Sequence, residues 1–337
     1  MRLLMVAPLL GGRGRVPDVF ETLGPLLREA GHHVAMTSPQ PVAGRRAAAM
    51  VTTTLRRRRD VDAVVVHLYS GRALAVEEAV SRAAGRVPLI GVLSGGGFPG
   101  FARRHPRWVP RVLGRFDRLV APSAYLGRWA EATSTTPVTV IANPLDLDAY
   151  PYRARGPVRP RILWLRAYHE IYAPEVAVRA AAGLLPHYDD VVLTMVGADK
   201  GERASCEALV EQLGLGDRAR VGGFAGPEEK RRLFEDHDVF LNTARVDNRP
   251  VSVVEAAASG LCVVSTDVGG VPDLVTDGES AVLVPPDDPA AVVGAVRGLV
   301  DAPARASRIS AGGRAVAEAG RPEVVVAAWR SLLSEIG

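Results

Sequence analysis

Short apolar runs rich in valine, leucine and isoleucine recur along the whole chain at the spacing of strand-helix units, and this alternation limits the possible folds most. In the first half the runs are residues 3–7, 33–37, 63–67, 89–93, 118–121 and 138–141. In the second half they are 162–165, 191–196, 218–221, 239–242, 262–265 and 281–284. Each is bounded by turn residues and too short for a helix of ordinary length, so each reads as a buried strand. Helical patterns lie between them, such as residues 19–30, which run into Gly31 in the manner of a glycine-terminated helix. Continuous apolar strands joined by helices predict parallel sheets covered on both faces. The pattern halts at residues 151–160, Pro-Tyr-Arg-Ala-Arg-Gly-Pro-Val-Arg-Pro, which hold neither a helix nor a central strand. A chain of 337 residues also exceeds what one core usually supports. The expectation is therefore an α/β protein with two doubly wound domains, residues 1–152 and 161–321, joined by a linker at 153–160. Ligands are expected at the carboxyl ends of the strands. An amphipathic helix over 322–337, with Val325, Trp329, Leu332 and Leu333 on one face, is expected to pack back on the first domain.

Composition narrows the class without choosing a function. A hydrophobic fraction of 47% and a charged fraction of 23% are those of an ordinary globular protein. Cys206 and Cys262 lie far apart, so neither a disulfide framework nor a zinc site can be built from them, which fits a reducing cytoplasm. The apolar amino terminus is interrupted by Pro8 and followed by Gly11, Gly12, Arg13, Gly14 and Arg15, and reads as a first buried strand, not a leader. No other run approaches the roughly 18 apolar residues of a membrane span. The net charge of +4 is spread over many arginines, with clusters at 56–59 and 98–116. In the second cluster Phe98, Phe101, Trp108 and Phe116 alternate with Arg103, Arg104, His105, Arg107, Arg111 and Arg115. Two readings stay open there: peripheral contact with anionic lipid or a phosphorylated acceptor, or a solvated helix face over core aromatics. No nucleic-acid motif accompanies the basicity, so no nucleic-acid partner is expected.

Chemistry concentrates in residues 247–255, Asp-Asn-Arg-Pro-Val-Ser-Val-Val-Glu, which lead into an alanine-rich helix, Gly260, a strand and the Gly269-Gly270 turn. The order places Asp247 on a loop and Glu255 one turn into a helix, with the helix's first amides between them. A helix amino terminus carries partial positive charge and unpaired N–H groups suited to a diphosphate. Carboxylates accept hydrogen bonds from sugar and ribose hydroxyls. The segment therefore reads as a site for a sugar nucleotide. Ser252 and Glu255 also match a capping box, so a purely structural role for Glu255 stands beside the functional one.

These residues, taken with others in order, resemble the retaining glycosyltransferases of family 4, whose GT-B architecture has two Rossmann-like domains facing a central cleft. The motifs are Val-Phe-Leu-Asn-Thr (239–243), the 247–255 segment, Ala-Ala-Ala-Ser-Gly (256–260), Cys-Val-Val-Ser-Thr (262–266), Val-Gly-Gly-Val-Pro-Asp-Leu-Val (268–275) and Ala-Val-Leu-Val-Pro-Pro (281–286). Weaker matches fall at 119–126, 140–146, 193–197 and 215–224. The resemblance implies that Asp247 orients the donor sugar, that Glu255 binds the nucleotide's ribose, and that Pro250, Val251, Ser252 and Val253 line the phosphates. It places Arg166 on the diphosphate, where a guanidinium neutralises charge growing on the leaving group. Asp247 and Arg166 are then the catalytic candidates. Gly11 and Gly12 match a glycine-rich loop beside donor and acceptor, although Pro17 breaks the dinucleotide spacing. Two departures matter. Ile171 stands where the family has a lysine, with Tyr168 and His169 as nearby substitutes. Ser94 stands where relatives carry a histidine, with His67 and His105 as further candidates on the acceptor side.

The implied reaction is a metal-independent, retaining transfer from a UDP- or GDP-linked sugar, with no other cofactor, to an unidentified hydroxylated acceptor: a glycan, a lipid-linked molecule or a small natural product. The implied location is the cytoplasm, with attachment to a membrane surface left open. The departures keep a second reading alive, a catalytically degenerate GT-B protein that binds a sugar nucleotide or serves as a partner subunit. A nicotinamide oxidoreductase, and a GT-B epimerase or phosphorylase, share the strand pattern.

Overall fold

The computed structural model describes residues 1–11 and 18–336. The apolar runs become strands β1 (Arg2–Val6), β2 (His33–Thr37), β3 (Ala63–Tyr69), β4 (Leu89–Ser94), β5 (Arg118–Ala121) and β6 (Val138–Val140), then β7 (Arg161–Leu165), β8 (Val192–Val196), β9 (Ala219–Gly222), β10 (Val239–Asn242), β11 (Cys262–Thr266) and β12 (Val282–Val284). They form two six-stranded sheets, ordered β2-β1-β3-β4-β5-β6 and β12-β11-β10-β7-β8-β9. The pairings between these strands are parallel. Strand order reverses between β1 and β3 in the first sheet and between β7 and β10 in the second.

The continuous apolar character of the strands follows from their burial. In β1, Leu4 and Val6 enter one core with Val64 and Val66 of β3. Leu3 and Met5 enter another on the opposite face with Val65. Successive side chains alternate between faces, so a strand covered on both sides has no polar position to spare. In the second sheet Ile162, Trp164, Leu193, Val239 and Val264 likewise share one core, and the intervening Leu163, Phe240 and Val263 are fully buried as well.

The chain divides into two compact units, Met1–Leu145 with Gly320–Gly337, and Asp146–Ala319. In the first unit the helix Pro322–Ser334 places Val325, Trp329, Leu332 and Leu333 in the same core as Leu3, Met5, Phe20 and Leu23. The segment read as a linker, 153–160, lies wholly within the second unit, which begins at Asp146. It has no helix or strand, as expected, but it is pinned. Arg155 is 1% exposed. Its guanidinium donates to the carbonyls of Phe234 at 2.6 Å and His237 at 2.9 Å, and to that of Ser259. These carbonyls lie at the carboxyl ends of the helices Pro227–Asp236 and Val251–Ala258, where unpaired oxygens carry partial negative charge. Arg153 and Arg159 hold Asp238 at 2.8 and 3.0 Å beside it. An arginine with a helix-end task is indistinguishable in sequence from a solvated one, which is why this segment reads as a tether.

The basic and aromatic segment 98–116 shows the same contrast. Phe98, Phe101 and Phe116 are core residues, and the Trp108 indole donates to Glu78 at 2.9 Å. Arg103, Arg104 and Arg107 remain exposed. The aromatics therefore do not reach a membrane surface, and any contact with anionic lipid would rest on the arginines alone. Among the described residues no helix is long and apolar enough to cross a membrane. Cys206 and Cys262 are both free and buried.

Candidate functional site

In an open doubly wound sheet, ligands bind beyond the carboxyl ends of the strands where the order reverses. For the second unit that place is the end of β7 and β10. Arg166 is the first residue after β7, and Asp247 lies on the loop that follows β10. Their side chains meet: Arg166 Nη2 donates to Asp247 Oδ2 at 2.7 Å, and Nη1 to Ser252 Oγ at 3.4 Å. The guanidinium carbon sits 4.0 Å over the Tyr172 ring. The Nε–H of Arg166 is buried and has no partner among the described residues. Burial pushes the Asp247 carboxyl above the ordinary range, outweighing the opposing pull of Arg166 and the Asn248 N–H.

Three glycines make this arrangement possible. A Cβ on Gly197 would stand 1.6 Å from the Arg166 carbonyl oxygen. A Cβ on Gly269 or Gly270 would stand 2.0 Å from the Asp247 oxygen or 2.4 Å from that of Asn248, respectively. Backbone lies directly on backbone at each point, and only hydrogen fits. Gly269 and Gly270 were legible as a turn. The role of Gly197 was not.

The helix Val251–Ala258 starts at Pro250 without a side-chain cap. The amides of Val253 and Val254 both donate to the Pro250 carbonyl, at 3.1 and 3.2 Å. The Val253 N–H, expected to face the phosphates, is thus engaged within the first turn. The N–H groups of Val251 and Ser252 have no acceptor among the described residues. The capping box does not form either, because Ser252 turns to Arg166 and the Glu255 carboxylate turns elsewhere. Glu255 is 7% exposed. Its Oε1 accepts from Tyr150 Oη at 2.6 Å and Lys230 Nζ at 2.5 Å. Burial and the neighbouring carboxylate push the Tyr150 hydroxyl well above its usual range, so it stays a donor.

Ile171 is 37% exposed in the 3-10 turn Glu170–Tyr172. Tyr168 cannot replace the family's lysine, since it is fully buried and donates to the Gly222 carbonyl at 3.0 Å. His169 accepts the Ile171 N–H at 3.2 Å. A cation that went unmarked stands elsewhere: Arg249, between Asp247 and the helix start, is partly buried, and burial holds its guanidinium below the usual range.

In the first unit the reversal lies between β1 and β3. Gly11 donates its N–H to both oxygens of Glu21, at 3.2 and 3.1 Å; Gly12 lies outside the described residues. Glu21 closes a capping box with Asp18 at the start of the helix Val19–Glu29. The Asp18 carboxylate also accepts from His67 Nδ1 at 2.9 Å and from the Tyr69 hydroxyl. Burial pushes Asp18 up, but its bonds with His67, Tyr69 and the Phe20 N–H outweigh that and hold it below the usual range. His67 is 3% exposed, with its ring stacked 4.9 Å from that of Phe20. Because a carboxylate only accepts, the network assigns a hydrogen to His67 Nδ1 and leaves Nε2 as the basic nitrogen of the neutral ring. Ser94, the last residue of β4, is paired in register with Tyr69. His105 is exposed at the end of the helix Phe98–Arg104, its ring packed 4.5 Å from Phe101. The fold thus gathers His67 with Asp18 and Tyr69, sets Ser94 on the neighbouring strand, and uses His105 to cover an aromatic. Among the described residues no three His, Cys, Asp or Glu side chains group as metal ligands.

Residues 159–316 match the model of the family described as glycosyl transferases group 1. A D-inositol 3-phosphate glycosyltransferase of Streptomyces avermitilis is 29% identical over 240 residues, covering 63% of this chain and 51% of that protein. The chain spans about half the length of the curated relatives it matches first. Among solved structures, sucrose-phosphate synthase from Thermosynechococcus elongatus superimposes with a TM-score of 0.79 at 15% identity, over 99% of this chain and 98% of that one. The Anabaena protein HepE, in complex with UDP and glucose, gives 0.75 at 18% identity over 99% and 100% of the two chains. At these identities the structural likeness is one of fold. Two doubly wound parallel sheets, superimposing on glycosyltransferase structures over nearly the whole chain, give it the GT-B fold, and residues 159–316 fit the family model of group 1 glycosyl transferases.

Proposed function

We propose that the protein transfers a sugar from a nucleotide-diphosphate sugar to a hydroxylated acceptor, with retention at the anomeric carbon. The observation that carries this reading is the buried, unpaired Nε–H of Arg166, placed at the switch point of the second sheet beside Asp247 and the free amides of Val251 and Ser252. A buried donor without a partner is unfavourable by roughly 1–3 kcal/mol, and a diphosphate oxygen would satisfy it. Arg166 and the helix start then bind the diphosphate and stabilise the charge that grows as it leaves. Asp247 passes from Arg166 to the hydroxyls of the donor sugar. Neutralisation by arginine and helix amides leaves no step that calls for a divalent metal.

In the reaction the acceptor oxygen bonds to the anomeric carbon as the bond to the diphosphate breaks, and the leaving phosphate oxygen takes the acceptor proton. The protein's part is positioning and electrostatics. His67 Nε2 and Ser94 are assigned to the acceptor, His67 as a hydrogen-bond acceptor whose ring Asp18 and Tyr69 hold. The UDP in the similarly folded Anabaena protein makes UDP-sugars the first donors to test. The name of the S. avermitilis relative adds phosphorylated polyols to the acceptors.

The test is a thermal-shift screen of UDP-, GDP-, ADP- and dTDP-sugars, in which a ligand at 100 times its dissociation constant adds about 2.7 kcal/mol of stability. It is followed by turnover with and without EDTA and by NMR of the product's anomeric configuration. Arg166→Met should abolish the shift. Absence of a shift with every donor, or an inverted product, rejects the reading.

A further inference from the structure

Glu255 is gripped by one oxygen. Tyr150 Oη at 2.6 Å and Lys230 Nζ at 2.5 Å both donate to Oε1, and no hydrogen bond from the described residues falls on Oε2. Both donors are themselves fixed. The Tyr150 carbonyl accepts from Arg314 Nη1 at 3.2 Å, and the same nitrogen reaches the Ala258 carbonyl at 2.8 Å, at the end of the helix that carries Glu255. The Tyr150 ring packs 6.0 Å from that of Phe234. Lys230 rises from the helix Pro227–Asp236 and lies 5.4 Å over the Tyr150 ring. The terminal torsion of a glutamate is otherwise broad. Two donors on one oxygen fix it and aim the other oxygen.

We propose that Tyr150 and Lys230 are positioning residues for the nucleotide's ribose: they hold Glu255 by Oε1 so that Oε2 accepts a ribose hydroxyl. The proposal rests on the sugar-nucleotide reading of the site and adds two residues to it. It also accounts for a charge problem. A bare buried carboxylate near a diphosphate would repel it, and in a partly buried site such repulsion is strong. The Lys230 ammonium cancels that charge on the oxygen it shares with the tyrosine, while Oε2 keeps its lone pairs.

The experiment is calorimetric titration of the full chain with UDP, GDP and ADP, and then with the 2′-deoxy and 3′-deoxy forms of whichever binds most tightly. The wild type should prefer the ribose form over at least one deoxy form by about 10- to 100-fold, the span expected for a hydrogen bond to a charged group. In Tyr150→Phe and Lys230→Met, checked for folding by circular dichroism and melting, that ratio should fall towards one, because the ribose form loses its aimed hydrogen bond and the deoxy form has none to lose; in Lys230→Met the uncancelled carboxylate weakens both forms alike on top of this. Lys230→Arg should restore most of it. A loss of stability alone would weaken all forms together and leave the ratio unchanged. If the ratio persists in both folded variants but is lost in Glu255→Gln, the proposal fails and the ribose site stands. If the ratio persists in Glu255→Gln as well, or if the wild type binds none of the three diphosphates, the site reading fails and the proposal with it.

Discussion

Gly197→Ala should damage the proposed donor site by pushing on the Arg166 backbone, without altering any side chain assigned to a ligand. The added Cβ would stand 1.6 Å from the Arg166 carbonyl oxygen, 2.6 Å from its carbon and 3.2 Å from the Ala167 nitrogen. Non-bonded heavy atoms settle near roughly 3.5 Å, so relief requires the backbone after β7 to move on the order of 1.5–2 Å. Both clashing neighbours are main chain, and no rotamer change can absorb the shift. Overpacking of this kind costs about 1–3 kcal/mol. For a unit of this size that lowers the melting temperature by roughly 2–12 °C. Displacing the backbone also carries the Arg166 guanidinium away from its 2.7 Å contact with Asp247, and a misplacement of about 1 Å can reduce rate on the order of 100-fold. The assay is melting by circular dichroism together with nucleotide titration. Gly294→Ala, in the helix Pro289–Val300 with open space around the new Cβ, serves as a control of opposite sign and should stabilise by about 0.5–1 kcal/mol. A Gly197→Ala protein that melts within a degree or so of wild type and binds nucleotide as tightly would show that close backbone approach does not place Arg166.

Two pH-dependent outcomes follow from the first unit. Glu77 is 2% exposed and accepts the Tyr69 N–H at 3.0 Å; burial pushes its carboxyl well above the 4.5 of an unfolded chain. Its contribution is full below that unfolded value and is lost as pH rises through the folded one, so Glu77→Gln should match wild type near pH 4.5 and exceed it by pH 8 in urea midpoint. Equal midpoints at both pH values would contradict this. Asp18 has the opposite sign, held below 3.8 by its hydrogen bonds. Asp18→Asn should destabilise the protein by about 2 kcal/mol at pH 7, the loss expected for hydrogen bonds to a charged group, with the gap closing as pH falls below 3.8; a gap that stays constant down to pH 2 would count against the network.

The strands were legible because parallel sheets leave no polar face: residues such as Leu3, Leu4, Met5 and Val6 are all fully or almost fully buried, and the apolar run is the direct imprint of two covered sides. Asp247, Glu255 and Arg166 were singled out by their order along the chain, and the fold brings Arg166 against Asp247. What could not be read depends on partners distant in sequence. Glu255 matched a capping box equally well, and only its bonds to Tyr150 and Lys230, 105 and 25 residues away, show that it does not cap its helix. Gly197 looks like any strand-ending glycine until the Arg166 carbonyl is seen against it. Arg155 looked like part of a solvated tether because its acceptors are main-chain oxygens, which leave no trace in side-chain pattern. The packing of His105 on Phe101 was equally hidden, since the sequence shows a histidine and not what its ring lies against.

The connectivity of the first unit has an engineering consequence. Leu145 donates its N–H to the Gly320 carbonyl at 2.7 Å, so the chain leaves this unit and re-enters it at neighbouring points, and the intervening 146–319 is spliced into it as a cassette. Excising that cassette and bridging the two points with a short glycine loop preserves the seam of Trp329 and Leu332 against Met5 and Phe20. Grafting a different second unit at the same seam would recombine the halves without redesigning either core.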